Sequence, residues 1–389
     1  MSSSPRTAPT VERRRAVAAL VALSFATFAF VTTEVLPSGL LTLMAPDLGR
    51  STAQVGLLVT GYALVVVVAS VPLAHVTRRI PRRYLLTGTL AVAAASMLWS
   101  GLAVDYGQLL AARLVTALAQ ALFWAVVAAA ATGVFAPEER GRMLSRLMVG
   151  NAVAPVLGVP LGVWLGQQAG WRSAFLVMSG LCLAVGVAVA ALMATVPPEE
   201  AGAARGIAPD TRSFVLLLVA TVLLVTGALC TLTFVTQYLI EVTGFEQADL
   251  STVLFVQGLA GVAGTLSVGR VLDRHPRASL LGALCGLGTG LAVFWAWGTT
   301  PAVAVVGLVL AGAGLSAVPP VLSHRTMHVA PGSTDIALAT NSAVFNVGIA
   351  AGSALGAAVV TVLSVRQVPL VGCAFVAAAI GVVLADRWR

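Results

Sequence analysis

The chain has 389 residues, of which 58% are hydrophobic and only 10% charged, with a mean hydropathy of +0.96. Soluble domains carry about 25% charged residues, so a water-soluble globule is excluded and the bilayer is the expected solvent. All 23 basic residues are arginine and the net charge is +8, but the arginines fall in short clusters between apolar runs rather than in one patch, which argues for orientation signals and against nucleic-acid binding.

A polar tail, residues 1–15, ends in Arg13, Arg14 and Arg15 and leads into a membrane-length run with one acid, Glu34, near its far end. That run is too long for a signal-peptide core and many more follow it. A crossing helix needs roughly 20 apolar residues. On that length the first half predicts spans at about 16–44, 53–74, 84–104, 107–134, 142–167 and 173–195. The second half predicts spans at about 213–240, 250–271, 278–298, 301–322, 334–364 and 367–386. The first and eleventh are over-long and tilt, kink at Pro37 or extend past the hydrocarbon. Residues 197–212, rich in Pro, Gly, Ala and charge, read as a flexible cytoplasmic linker between two six-helix halves, 16–196 and 213–389. The fold expected is an all-α membrane protein of twelve transmembrane helices in two pseudo-symmetric bundles.

With the N-terminus inside, nineteen of the 23 arginines fall on the cytoplasmic side, counting Arg325 as part of the loop after span ten. Only Arg50, Arg172 and Arg366 fall outside, and Arg113 lies within span four. This is a strong positive-inside pattern, and it predicts a multi-pass protein of the inner membrane with both termini cytoplasmic. The four cysteines, Cys182, Cys230, Cys285 and Cys373, all lie in apolar runs and read as small buried hydrophobes. No phosphate-binding loop and no metal-ligand spacing is present, so no cofactor, no metal and no catalytic residue are expected.

An internal repeat supports the two halves. The loop after span two reads Ala74 through Thr77, Arg78-Arg79, Ile80, Pro81-Arg82; the loop after span eight reads Gly269 through Leu272, Asp273-Arg274, His275, Pro276-Arg277. A small residue, three spacers, a charged pair, one spacer and Pro-Arg recur at the same place, the trace of transporter pseudo-symmetry.

These residues resemble the major facilitator superfamily, specifically its twelve-helix drug/proton antiporter branch near the arabinose-efflux and chloramphenicol-resistance exporters. Thr32-Thr33-Glu34 with Pro37 resembles the branch's acidic site in helix one. Gly269, Asp273, Arg274, Pro276 and Arg277 resemble the superfamily's loop motif. Arg113 resembles the arginine of helix four. Gly150, Ala154, Pro155, Gly158 and Gly162 resemble the antiporter motif of helix five, with Ala154 where the pattern has Gly. The first-half loop departs from its pattern, with Arg78 for the Asp and Pro81 for the Gly. The resemblance implies proton-coupled efflux of small organic molecules such as drugs or secondary metabolites. A sugar or metabolite exporter or an uptake symporter on the same fold is the alternative, and a non-transporting membrane sensor is a third reading. It also implies protons, a small-molecule substrate and lipid as the only partners, and a monomer.

A charge at membrane depth costs about 2.5–3.5 kcal/mol on insertion scales, so such residues usually mark a proton, ion or substrate path. Glu34 lies roughly 28 Å above Arg15, and Arg113 roughly 9 Å below the outer start of span four. At comparable depth they are each other's obvious ion-pair partners. Burial favours a protonated carboxyl and a guanidinium an ionised one, so a site balanced between them can load and release a proton. The competing reading is a static interhelical tie.

Gln120 and Trp124 fall on the Arg113 stripe and either line a cavity or pack. Thr226, Cys230, Thr233 and Gln237 form a matching stripe in span seven. Gln257, Asn341, Asn346 and Asn151 are isolated amides, each a substrate contact or an interhelical hydrogen bond. Gly150, Pro155, Gly158 and Gly162 suit span five to close approach and bending. Arg78, Asp273, Arg274, Arg277 and Asp335 are the candidate cytoplasmic gate, either with Arg78 facing Asp335 in a latch of swapped polarity or with the arginines only setting topology. The second half has no charge at membrane depth, so proton coupling is assigned to the first.

Overall fold

The computed structural model describes residues 10–77, 80–132, 135, 140–195, 209–272, 274–332 and 334–386. Among them every regular element is helical, as expected where lipid offers the backbone no other partner. Twelve helices are long and apolar enough to cross a membrane.

The first half contains α1 (Thr10–Asp47), α2 (Thr52–Thr77), α3 (Arg82–Leu102), α4 (Tyr106–Thr132), α5 and α6 (Trp171–Leu192). Helix α5 runs over Arg140–Val153, passes through a π-turn at Ala154–Gly158 and continues as Val159–Ala169. The second half contains α7 (Thr211–Leu232), α8 (Leu250–Gly269), α9 (Pro276–Trp297), α10 (Pro301–Val329), α11 (Thr334–Val362) and α12 (Val368–Ala385). After α7 the chain breaks at Thr233–Phe234, makes the short helix Val235–Tyr238 and ends in a π-turn, Leu239–Thr243.

Local chemistry sets the ends. Asp210 caps α7, its carboxylate accepting from the amides of Arg212 (2.9 Å) and Ser213 (3.3 Å). Prolines occupy the first turns of α9, α10 and α12, where a missing N–H costs nothing. Gly170, at φ 81°, makes the tight corner between α5 and α6.

The packing repeats. The pairs α1·α5, α1·α6, α2·α4, α3·α4 and α3·α6 recur six helices on as α7·α11, α7·α12, α8·α10, α9·α10 and α9·α12. Between the halves α2 meets α11, α5 meets α8, and α1 meets the broken segment after α7. The hydrogen bonds that cross this seam among the described residues all lie at the end where α1 finishes at Asp47. Thr236 Oγ1 donates to the Ser38 carbonyl (3.0 Å) and Ser353 Oγ to the Gly56 carbonyl (2.8 Å). Gln247 Nε2 donates to Thr42 Oγ1 (3.2 Å) and receives Gln167 Nε2 on its carbonyl. Phe234, fully buried, seats its ring against Gly56 and Gly356, where any β-carbon would collide with it. The molecule is therefore closed at the Asp47 end.

Three expectations are corrected. Helix α10 does not stop near residue 322 but continues to Val329. Arg325 is consequently not a loop residue: it is buried in α10 and donates to Asp386 at 3.1 Å, so the second half does hold a buried charge pair, at the end opposite the seam. Among the cysteines, Cys182 and Cys230 are buried and Cys373 partly so, but Cys285 is exposed on α9.

Candidate functional site

The site is built on α1, α2 and α4, and Pro37 organises it. In a helix the amide of residue 37 would bond the carbonyl of residue 33, and proline has no amide to give. The Thr33 carbonyl is thus left without its helical partner, and Arg113 supplies one: Nη1 donates to the Thr33 carbonyl at 2.7 Å and Nη2 to the Glu34 carbonyl at 3.2 Å. Arg113 has no solvent exposure, and its guanidinium carbon lies 4.4 Å from the centre of the Tyr62 ring. A cation held over a ring face is a favourable arrangement in a dry interior.

The expected Glu34–Arg113 ion pair does not form. The guanidinium is committed to main-chain carbonyls, and the Glu34 carboxylate instead receives Gln120 Nε2 at 2.7 Å. Gln120 in turn accepts the Tyr62 hydroxyl at 2.6 Å. The result is one network, Tyr62–Gln120–Glu34, with Arg113 fastened to the backbone of the same turn of α1. Tyr62 and Gln120 are buried, and Glu34 is the member of the network with partial exposure. One turn beyond Glu34 the Ser38 carbonyl takes the cross-seam bond from Thr236. The acid and the closed end are thus joined by four residues of one helix.

Other predicted residues distribute differently. Trp124 is half-buried and packs edge-on against Phe123, ring centres 5.6 Å apart. Thr226 Oγ1 makes a long bond to the Gly348 carbonyl (3.5 Å), and Cys230 Sγ lies 3.9 Å from the Val368 carbonyl. Thr233 is buried with its hydroxyl unpartnered; Gln237 gives Nε2 to Glu241 (2.9 Å) and keeps a buried, unpartnered Oε1. Gln257 is half-buried beside Gly312 on α10. Asn341 accepts from Thr221 Oγ1 at 3.1 Å inside the second half, and Asn346 bonds the Ser342 carbonyl of its own helix, so both are occupied by structural bonds. Asn151 is exposed on α5.

On α5, Gly150, Gly158 and Gly162 face α1. A methyl group there would strike the Ser24 carbonyl, Thr32 and Leu36 respectively. Pro155, in the π-turn, lies against Gly258 of α8 across the seam. Of the gate residues, Arg78 and Asp273 lie outside the described residues, as does the side chain of Asp335. Arg274 is exposed, and Arg277 Nη2 donates to the Leu384 carbonyl (3.1 Å).

Sequence reasoning missed Tyr62, Phe234 and Thr236. An aromatic or a threonine in an apolar run gives no signal of its own. Pro37, however, announces that the Thr33 carbonyl needs a donor, and that signal was available.

The Major Facilitator Superfamily profile matches residues 23–334 and 217–387. The chain is 30% identical over 352 residues to a protein of Helicobacter pylori strain G27 described as a probable sugar efflux transporter, covering 90% of each. It is 29% identical over 362 residues to a protein of the same description from Helicobacter acinonychis strain Sheeba, covering 92% of this chain and 93% of that one. In fold it is similar to the peptide transporter POT (TM-score 0.76, 12% identity, 97% of each chain). It is also similar to a bacterial homologue of the human lysosomal transporter Spinster (TM-score 0.71, 15% identity, 100% of each chain). With twelve membrane-length helices and a family match over most of its length, the chain belongs to the Major Facilitator Superfamily of membrane transporters.

Proposed function

We propose that this chain exports small polar organic solutes, sugars foremost, in exchange for protons across the cytoplasmic membrane. Two relatives at about 30% identity that are described as sugar efflux transporters favour the sugar reading over the drug reading drawn from motifs alone. The arginine distribution supports an external Asp47 end, and with that orientation the closed end faces outward and substrate enters from the cytoplasm. Buried oxygens without partners, Thr233 Oγ1 and Gln237 Oε1 in the broken segment after α7 and Thr33 Oγ1 on α1, suit a solute rich in hydroxyl groups.

The observation that carries the proposal is the Glu34 carboxylate. It is an acid at membrane depth in a partly exposed residue, and it accepts from a neutral amide while the Arg113 guanidinium bonds the main chain beside it. When ionised, it accepts from Gln120. When protonated it keeps one oxygen to accept from Gln120 but gains an O–H that needs an acceptor of its own, and it loses the negative charge. The same turn of α1 carries the Ser38 bond to Thr236, so a shift there loosens the outer seam. Alternating access then moves one bundle against the other around the midplane.

One observation favours a static role for part of the site. Arg113 satisfies a carbonyl that Pro37 leaves open, which is a structural duty independent of protonation. We therefore assign Arg113 to positioning and Glu34 to coupling. Everted vesicles from cells expressing the chain test the substrate class. Proton-driven accumulation of labelled pentoses or hexoses is expected; accumulation of lipophilic cations alone would return the reading to drug export.

A further inference from the structure

A cavity of about 640 Å³ opens in the second half at the end opposite the seam, between the start of α9 and the ends of α10 and α12. Its polar lining is Arg274, His275, Arg277, His324, Arg325 and His328, with Leu281 and Leu384 as apolar walls and no carboxylate among the described lining residues. Asp386 is already engaged by Arg325 (3.1 Å) and by Ser213 Oγ (2.7 Å), Asp210 by the same Ser213 Oγ (2.9 Å), and neither lines the space. Arg277 is pinned through Nη2 to the Leu384 carbonyl, while its Nε is buried without a partner. The Nδ1 atoms of His324 and His328, one helical turn apart on α10, are likewise buried and unpartnered. Helix α9 begins at this wall with no side-chain cap on its first turn, adding the positive end of its dipole.

The paired histidines alone would suit a metal, but the guanidiniums around them repel a cation. No group of three or more His, Cys, Asp or Glu able to hold a metal occurs among the described residues. Forked guanidinium donors, ring nitrogens and a helix start facing one space are the chemistry of a tetrahedral oxyanion. We propose that this cavity binds a phosphate-class anion, either free inorganic phosphate or the headgroup of an anionic phospholipid whose acyl chains follow the exposed Leu384 side of α12. Basic pockets between membrane helices take lipid headgroups in this way. The site lies outside the Glu34 network and stands independently of the transport reading.

The test uses the full-length protein purified free of lipid in detergent. Thermal unfolding is followed against inorganic phosphate, with chloride at equal ionic strength as the reference. Native mass spectrometry compares phosphatidylglycerol with phosphatidylcholine. A saturable phosphate shift assigns a soluble anion, and selective retention of phosphatidylglycerol assigns a headgroup. In either case R274Q/H328Q is expected to weaken binding at least tenfold, while R146Q, an exposed arginine of the first half, leaves it unchanged. If the double variant does not fold, R274Q alone, altering an exposed side chain, serves in its place. Absence of both a phosphate shift and lipid selectivity in the wild type overturns the proposal, as does wild-type binding by the cavity variants.

Discussion

Pro37 and Arg113 act as a complementary pair: one removes an amide from the helix, the other brings a guanidinium to the carbonyl left behind. This makes a prediction about coupling. Arg113→Gln alone should destabilise the protein by about 1–3 kcal/mol, since it leaves the buried Thr33 carbonyl without a donor. Pro37→Ala restores an amide for Thr33, so the same Arg113→Gln change in that background should cost at least about 1 kcal/mol less. A double-mutant cycle on unfolding in detergent measures it, and equal costs in the two backgrounds would refute the assignment. At this scale the sequence was half legible. Glu34 and Arg113 stand out because a charge in a lipid-length run is costly. Their true partners, Gln120 and the main chain, did not stand out, because pairing by charge alone ignores the carbonyls that proline exposes. Tyr62 gives no sequence signal, being one aromatic among many apolar neighbours.

Helix α5 shows what an element contributes. Gly150, Gly158 and Gly162 bring it against α1, and the π-turn at Ala154–Gly158 turns Pro155 toward α8 of the other half. Gly150 is the tightest of these approaches, its missing β-carbon falling on the Ser24 carbonyl. Gly150→Val should therefore lower stability by about 1–3 kcal/mol or more through overpacking, seen as a fall in unfolding temperature with reduced expression. An unchanged unfolding temperature would show that α1 and α5 are not held at this distance. The twelve spans were readable because each is a run of the length a bilayer requires. The last two turns of α10 were not, since Ser323, His324, Arg325 and His328 make them look like a loop. Within them Arg325 pairs with Asp386, 61 residues away, and Thr326 and Val329 are buried, and no local pattern reports so distant a partner.

At the scale of the whole molecule, two similar bundles are joined along a seam that is bonded at the Asp47 end. Phe234, in the break after α7, fills that seam against Gly56 and Gly356. Gly56→Val should expel it and bias the molecule toward opening there. Spin labels at Arg50 and Glu246 should then report a longer distance than in the parent, and an unchanged distribution would mean that Phe234 does not hold the seam. The pseudo-symmetry was legible in the repeated loops after spans two and eight, whereas the end that is closed depends on contacts between halves that no single-chain pattern encodes.

The account rests on Glu34 linking proton binding to the direction in which the bundles open. Reconstituted into liposomes with an internal pH dye, the wild-type protein should move protons when a transported sugar is added. Glu34→Gln should still exchange labelled for unlabelled sugar while moving no protons. Sugar-dependent proton movement surviving in Glu34→Gln would contradict the account.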